Sequence, residues 1–324
     1  MVSVEEEILS AASIGITGHI RPDGDCVGST LGLYNYIREN MPDKTVDIYL
    51  DPIEKNFKFL SGASDIRHSA NKNIKYDVFI ILDCGDLGRV AEFTLDYIRN
   101  ASKTICIDHH MSTKGIAVIN HICPQISSAS EVLFELLDEN HISKNTAECL
   151  YTGMVHDTGV FKYQSTTSRT MQIAGKLMDK GIDFTSIIDD TFFRKSYKQN
   201  LLLGKALLDS ERLLDGRLIY SYVSADTLKE YDVIGRDTGG IIDELRFTEG
   251  VEVAVFMYEL PDGKIKTSLR SVHDVDVNSI AGEFGGGGHI KAAGATLRMP
   301  IDEACALLEQ ALLASIQKLP PLQK

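Results

Sequence analysis

The spacing of apolar positions changes character along the first half of the chain. Short apolar runs rich in β-branched residues occur four times, as SIGITGH, TVDIYL, YDVFIILD and KTICIDHH. Helical stretches separate them, and the first such stretch covers 27–39. Continuous apolar runs are typical of strands in a parallel sheet that is buried on both faces. We therefore expect an N-terminal α/β domain with a parallel sheet and helices on both faces.

The second half begins with helices and ends with strands. SASEVLFELLDEN predicts an amphipathic helix, and 146–208 is almost wholly helical in pattern, with a long helix beginning near Ser196. Strands then follow at GRLIYSYVS, VEVAVFMYEL and KIKTSLRS, with a hairpin turn at ELPDGKIK, a helix at TGGIIDELRF and a final helix from Ile301. We predict a smaller C-terminal α+β domain, with boundaries at 1–190, a helical linker over 191–212, and 213–324.

Composition limits the classes of function. A chain of 324 residues with 44 % apolar and 24 % charged residues fits about two globular domains. The net charge of −13 argues against tight binding of long nucleic acid, which needs a basic surface. No apolar run is long enough to span a bilayer, and the acidic N-terminus predicts a short surface helix and not a signal peptide. The six cysteines form no CxxC pair and predict buried, reduced thiols in the cytoplasm.

Acidic and histidine residues collect where the predicted strands end. They follow the first, third and fourth strands and the break of a later helix: His19, Asp23, Asp25, Asp83, Asp108, His109, His110 and Asp157. Each alone also fits a turn or helix cap. Ligands of doubly wound sheets bind outside the carboxyl ends of the strands, so these residues should converge. Their oxygen and nitrogen atoms suit manganese or a similar ion, and the crowded carboxylates need cations to offset their repulsion.

A glycine run marks the C-terminal domain. The stretch EFGGGGHIKAAGA contains Gly285, Gly286, Gly287 and Gly288 before His289. A flexible linker is one interpretation. The other is an anion site, because glycines before the start of a helix allow backbone N–H groups to approach a phosphate. Arg270 and His289 would add positive charge there.

In this order the motifs resemble a known family. HxxxDxD, a strand-end Asp, DHH and a later Asp are similar to the DHH phosphoesterase superfamily, while SLRS and GGGGHIKAAG look like the DHHA1 domain. The resemblance covers nearly the whole chain. Its size and layout look most like the stand-alone enzymes that hydrolyse short oligoribonucleotides and dephosphorylate adenosine 3′,5′-bisphosphate (pAp). The resemblance thus implies a two-metal phosphoesterase that releases mononucleotides.

The resemblance also implies a role for each residue. Of the metal ligands, His19 and Asp23 would bind the first ion, Asp25, His109 and Asp157 the second, and Asp83 both. His110 would contact the scissile phosphate or assist the leaving oxygen, and Arg89 would hold substrate. Arg270, Gly285–Gly288 and His289 would grip a terminal phosphate or nucleotide. The implied cofactor is two Mn²⁺ per chain, with Mg²⁺ or Co²⁺ as alternatives.

Other activities of the superfamily stay open as alternatives. A cyclic-dinucleotide phosphodiesterase is the first of them. An inorganic pyrophosphatase is disfavoured because that group has a different, lysine-rich C-terminal domain, and a RecJ-type exonuclease because those chains are longer. We expect short RNA or a small nucleotide as substrate, no long duplex nucleic acid, no membrane partner, and leave a homodimer open.

Overall fold

A computed structural model of the protein describes residues 4–71 and 74–317. The chain divides into two compact units, and the division falls between Arg194 and Lys195. Each unit has its own sheet and its own buried apolar clusters.

In the first unit, the strands among the described residues are β1 (Ser13–Thr17), β2 (Thr45–Tyr49), β3 (Val78–Leu82), β4 (Lys103–Asp108) and β5 (Ile119–Ile122). The α-helices there are α1 (Val4–Ser10), α2 (Gly24–Asn40), α3 (Leu95–Asn100), α4 (Ala129–Leu136), α5 (Lys144–Asp157), α6 (Ser168–Met178) and α7 (Phe184–Ile188). Short 3₁₀ turns include Leu87–Arg89, and a π-helical turn covers Asp189–Phe193.

The sheet of the first unit is parallel, in the order β2-β1-β3-β4-β5. Strand β1 pairs with β2 on one side and with β3 on the other, so the strand order reverses beside it. Such a switch point leaves a crevice at the carboxyl ends of the two central strands. The residues that follow β1 and β3 therefore meet there.

Both faces of this sheet are buried, as predicted. Along β3, Ile80 packs into the cluster formed with α2, α4 and α5, whereas Phe79 and Ile81 pack on the opposite face against Tyr97 of α3. This alternation follows from the two-residue repeat of a strand. The continuous apolar run in the sequence thus reflects two covered faces.

In the second unit, the strands are β6 (Glu211–Leu213), β7 (Leu218–Val223), β8 (Val253–Glu259), β9 (Ile265–Ser271), β10 (Gly287–His289) and β11 (Ala292–Leu297). The helices are α8 (Tyr197–Leu208), α9 (Ala225–Glu230), α10 (Ile241–Arg246), α11 (Val277–Glu283) and α12 (Ile301–Ile316). The sheet is mixed, in the order β10-β11-β9-β8-β7-β6, with only β7 and β8 parallel among the described pairs. Helices α11 and α12 cover one face, and α8 to α10 pack on the other.

Some elements differ from the sequence-based expectation. Helix α2 begins at Gly24, earlier than predicted, because Asp23 caps it. Strand β5 was not predicted, and the helical stretch after 146 is broken by turns. The predicted arrangement of glycines before a helix is wrong, because the run follows α11 and continues into strand β10. Among the helices of the described residues, none has both the length and the apolar character needed to cross a bilayer.

Candidate active site

The first corner of the site lies between β1 and α2. The Nε2 of His19 is 3.5 Å from Asp23 Oδ1 and 3.4 Å from Asp83 Oδ2. His19 Nδ1 donates to the carbonyl of Ile20 at 2.8 Å, which fixes the ring and turns Nε2 toward the acids. Burial by itself lowers the pKa of His19, but the two carboxylates outweigh it and raise the pKa to about 10.

Asp23 has a second task as the N-cap of α2. Its Oδ1 accepts hydrogen bonds from the backbone N–H groups of Asp25 and Cys26, at 3.2 and 3.1 Å. Burial by itself raises the pKa of Asp23, but His19 and these N–H groups lower it to about 2. Asp23 is therefore a helix cap, as one interpretation of the sequence had it, and it also lies beside His19 in the group of acids and histidines.

Asp25 is fully buried and is held by another helix. Its Oδ2 accepts from Ala129 N at 2.6 Å and its Oδ1 from Ser130 N at 3.0 Å, so the free N–H groups at the start of α4 bind the carboxylate. Burial, together with the charges of Asp83 and Asp157, holds the pKa of Asp25 well above its usual range. The cluster is thus short of positive charge.

Asp83 lies between His19 and His109. It follows β3 directly, is buried, and has a φ of +53°. Its Oδ1 is 3.6 Å from His109 Nε2, and its Oδ2 faces His19. Among the described residues, Asp83 Oδ1 has no hydrogen-bond partner although it is inaccessible to solvent.

His109 faces three carboxylates at once. Its Nε2 is 3.0 Å from Asp157 Oδ2, at the end of α5, and 3.9 Å from Asp25 Oδ2. Burial by itself lowers the pKa of His109, but Asp157 and Asp83 raise it to about 11. Burial also raises the pKa of Asp157, and His109 offsets this only in part.

Asp108 orients the second histidine of the triplet. His110 Nδ1 donates to Asp108 Oδ1 at 2.7 Å, so its Nε2 is left for another partner. Asp108 Oδ1 also accepts from the backbone N–H of His109 at 2.9 Å, and its Oδ2 accepts from the Thr113 hydroxyl. Burial by itself raises the pKa of Asp108, but the bonds from His110 and Thr113 lower it.

This donor set fits divalent metal ions. In the described part of the chain, the buried atom Asp83 Oδ1 has no hydrogen-bond partner, although buried polar atoms are normally paired. His109 Nε2 is also buried, and although it lies 3.0 Å from Asp157 Oδ2 the two atoms are not aligned for a hydrogen bond. Ligand atoms of Asp25, His109 and Asp157 lie within 4.8 Å of one another. Carboxylate and imidazole ligands suit ions such as Mn²⁺, and bound cations relieve the repulsion among the acids.

Arg89 lies beside this cluster on the 3₁₀ turn after β3. Its carbonyl accepts from Ile20 N at 2.6 Å, which ties the turn to the segment after β1. The Arg89 side chain lines a cavity that His110 also lines. The structure therefore brings together Arg89 and His110, two residues to which the family resemblance implies roles at the substrate.

In the second unit, strand register aligns the two predicted cations. Arg270 on β9 pairs with Ala292 on β11, and Ala292 pairs with His289 on β10. Directly paired residues share one face of a sheet, so both side chains lie on the same face with a small residue between them. The next row on the same face contains Gly287 and Gly294, which have no side chains. The glycine run thus forms a flat strand edge next to Arg270 and His289.

Sequence reasoning gave no role to two residues of the first unit. Cys26 Sγ lies within 4.8 Å of ligand atoms of His19 and Asp83, and burial keeps its pKa well above the usual range. Asp108 was seen only as part of the triplet. Its position directly before two histidines was the available signal, because a strand-end carboxylate can bond the ring two residues later.

The comparisons agree with this geometry. The model of the DHH family, N-terminal domain, matches residues 13–154, and that of the DHHA1 domain matches residues 215–314. A probable bifunctional oligoribonuclease and PAP phosphatase of Streptococcus mutans is 30% identical over 289 residues, which are 87% of this chain and 89% of that protein. A bifunctional oligoribonuclease and PAP phosphatase of Thermus thermophilus is 28% identical over 304 residues, which are 92% of this chain and 89% of that protein.

One solved structure has a similar fold, and its match extends over the sequences of both units. An exopolyphosphatase-related protein from Bacteroides fragilis matches with a TM-score of 0.85 and 31% identity, covering 96% of this chain and 94% of that one. The fold, the site and the similarity to these proteins together define a metal-dependent phosphoesterase. The chain belongs to the DHH/DHHA1 phosphoesterase family.

Proposed function

We propose that the chain hydrolyses short oligoribonucleotides and pAp to mononucleotides with two Mn²⁺ ions per chain. The observation that carries the proposal is the convergence of carboxylates and imidazoles at the switch point of the sheet, where the buried atoms Asp83 Oδ1 and His109 Nε2 form no hydrogen bond with any described residue. The names of the relatives add the substrate class. Residues 1–190 would carry the chemistry and 213–324 would bind substrate.

The side chains present fit two neighbouring ion sites. We assign His19 and Asp23 to one ion, the trio Asp25, His109 and Asp157 to the other, and Asp83 to both. Bound ions would supply Lewis acidity for the phosphoryl group and would activate a water molecule. The N-terminus of α4 orients Asp25, and the carbonyl of Ile20 orients His19, so these ligands are held before any ion binds.

His110 then has a separate task. Asp108 accepts a hydrogen bond from the Nδ1 of His110, so the Nε2 on the other side of the ring faces outward. The His110 side chain is 40% exposed. We assign this nitrogen to the scissile phosphate or the leaving oxygen, where a proton or hydrogen bond is needed as P–O bond breaking proceeds. Arg89 would stabilise the same negative charge.

In the second unit, Arg270 and His289 would bind the terminal phosphate or nucleotide, with Gly285–Gly288 as the adjoining edge. The flat glycine row supports this assignment, since a side chain at Gly288 would place Cβ 2.4 Å from Ala292 O. We further propose that the enzyme acts in the cytoplasm, on the basis of six cysteines without a disulfide.

A substrate panel tests the proposed function. With Mn²⁺, pAp and RNAs of about two to five nucleotides should be hydrolysed fastest, whereas a thirty-mer should react slowly because a chain of net charge −13 repels a long polyanion. Arg270→Ala should raise KM for the short RNAs and leave a generic small phosphodiester nearly unchanged. Faster turnover of pyrophosphate, a cyclic dinucleotide or the thirty-mer would contradict the proposal.

A further inference from the structure

A cavity of about 360 Å³, lined by polar, charged and apolar residues, adjoins this cluster of acids and histidines. One wall comes from the loop after β3, with Asp86 and Arg89, and the other from the loop after β4, with His110, Ser112 and Lys114. His110 is the shared residue, because it lies between this cavity and Asp83, whose Oδ1 is 3.6 Å from His110 Nδ1. A group bound here would lie on the far side of His110 from Asp83, within the reach of a substrate whose scissile phosphate is held at the proposed metal ligands.

The two walls meet because of a glycine. A Cβ on Gly85 would lie 1.7 Å from Thr113 Oγ1 and 2.9 Å from Asp108 Oδ2, so only glycine permits this close approach. On the other side, Thr113 N donates to His110 O at 3.2 Å and the Thr113 hydroxyl to Asp108. The second wall is thus a turn fixed by the same carboxylate that orients His110.

The cavity has more positive charge than its surroundings. Neither Arg89 nor Lys114 forms an ion pair with another residue in the described part of the chain, and both are exposed. Asp86 is the acidic residue of the wall, and its Oδ1 already accepts from Gly88 N at 2.8 Å. Two cations without an ion pair among the described residues thus line one cavity, and together they fit an anion.

We propose that this cavity binds a second phosphate, one nucleoside away from the scissile one, and that Lys114 is a specificity-determining residue. The inference rests on the proposed function and narrows its substrate class. It favours nucleotides that carry two phosphates on one nucleoside, such as pAp, and dinucleotides with a 5′-phosphate. The volume of the cavity lies within the range of pockets that bind small ligands. The Lys114 ammonium group would provide a compact positive charge for a phosphate.

The test compares two substrates that differ only in the second phosphate. Release of inorganic phosphate from pAp and from adenosine 3′-monophosphate is measured with wild-type protein and with Lys114→Gln, each with Mn²⁺. Loss of one charged contact should raise KM for pAp about tenfold, with kcat little changed. KM for the monophosphate should stay the same, because that substrate does not reach Lys114.

Two variants serve as controls. Lys114→Arg should keep the preference for pAp, and Lys55→Gln, which removes an exposed lysine elsewhere in the same unit, should change neither KM. An equal rise of KM for both substrates in Lys114→Gln, or no change in either, would overturn the second-phosphate site and leave the proposed function standing. No phosphate release from either substrate by the wild-type protein would contradict the proposed function itself.

Discussion

Asp83, a proposed metal ligand, has an uncommon backbone conformation. Its φ of +53° lies in the left-handed region, which Asn and Asp enter more readily than other side chains. Its two oxygens face His19 and His109 separately. Asparagine is therefore the substitution that removes the charge while keeping the shape and the backbone.

Asp83→Asn should abolish turnover and lower the bound manganese, because one residue serves both ligand groups. Without metal, the variant should be at least as stable to urea as the wild type, since one of several crowded acids is lost. Metal analysis and a urea titration measure these effects, with Asp43→Asn at an exposed position as the control. Normal activity in Asp83→Asn would mean that the ligand assignment is wrong.

The two histidines of the triplet should behave differently. His110→Ala should keep its metal while kcat falls by about 10²–10³-fold, as for the loss of a group that acts in the transition state. His109→Ala should instead lose metal, because its Nε2 faces Asp25, Asp83 and Asp157. Equal metal loss in both variants would show that the roles have been assigned incorrectly.

At the scale of elements, close packing of helices positions a ligand. Helix α5 approaches α2 and α4 at glycines: a Cβ on Gly28 would lie 2.5 Å from Cys149 O, and one on Gly153 would lie 2.0 Å from Ser130 Oγ. The added atom on Gly153 would also lie 2.6 Å from Asp25 Oδ1. The distance between these helices therefore determines where the Asp25 carboxylate lies.

Gly153→Ala should destabilise the first unit by about 1–3 kcal/mol, the usual cost of overpacking, and weaken metal binding as Asp25 moves. Gly175→Ala on α6 is the matched control, because nothing lies within 4 Å of its added Cβ. That change should stabilise by about 0.5–1 kcal/mol through helix propensity. Urea unfolding and calorimetric metal titration compare the two, and equal effects would contradict the packing explanation.

Elements were predictable from sequence where local pattern and burial agree. Strand β3 has a pure apolar run that only a doubly covered strand explains, and it was predicted close to its true bounds. Strand β10 was missed because Gly287 and Gly288 have no strand propensity, and only pairing with β11 makes them a strand. The link between Asp25 and the N-terminus of α4 was also hidden, since it joins residues far apart in sequence.

At the scale of the whole molecule, the proposed ligands all belong to the first unit. The apolar clusters of the two units are separate, so each unit has its own source of stability. The ordering of strand-end residues in the sequence was enough to predict which ones converge, because a parallel sheet places its carboxyl ends at one edge. The sequence order did not predict the distances between these side chains, because those distances depend on how the helices pack.

Manganese should therefore stabilise one unit selectively. Free metal at 100 times its dissociation constant should add about 2.7 kcal/mol to the unit that binds it. In calorimetry, the transition of the first unit should move to higher temperature with Mn²⁺, and that of the second should stay, with a chelator reversing the shift. A shift of the second transition alone would contradict the assignment of the ligands.

The bond between Asp25 and α4 also sets an order of events during synthesis. Asp25 and Ala129 are 104 residues apart, and ribosomes add about 5–20 residues per second, so roughly 5–20 s separate the two residues. During that interval the carboxylate has no helix N-terminus to bind. The nascent chain thus emerges with Asp25 before the amides that will hold it, and the proposed set of ligands is complete only after Asp157 has left the ribosome.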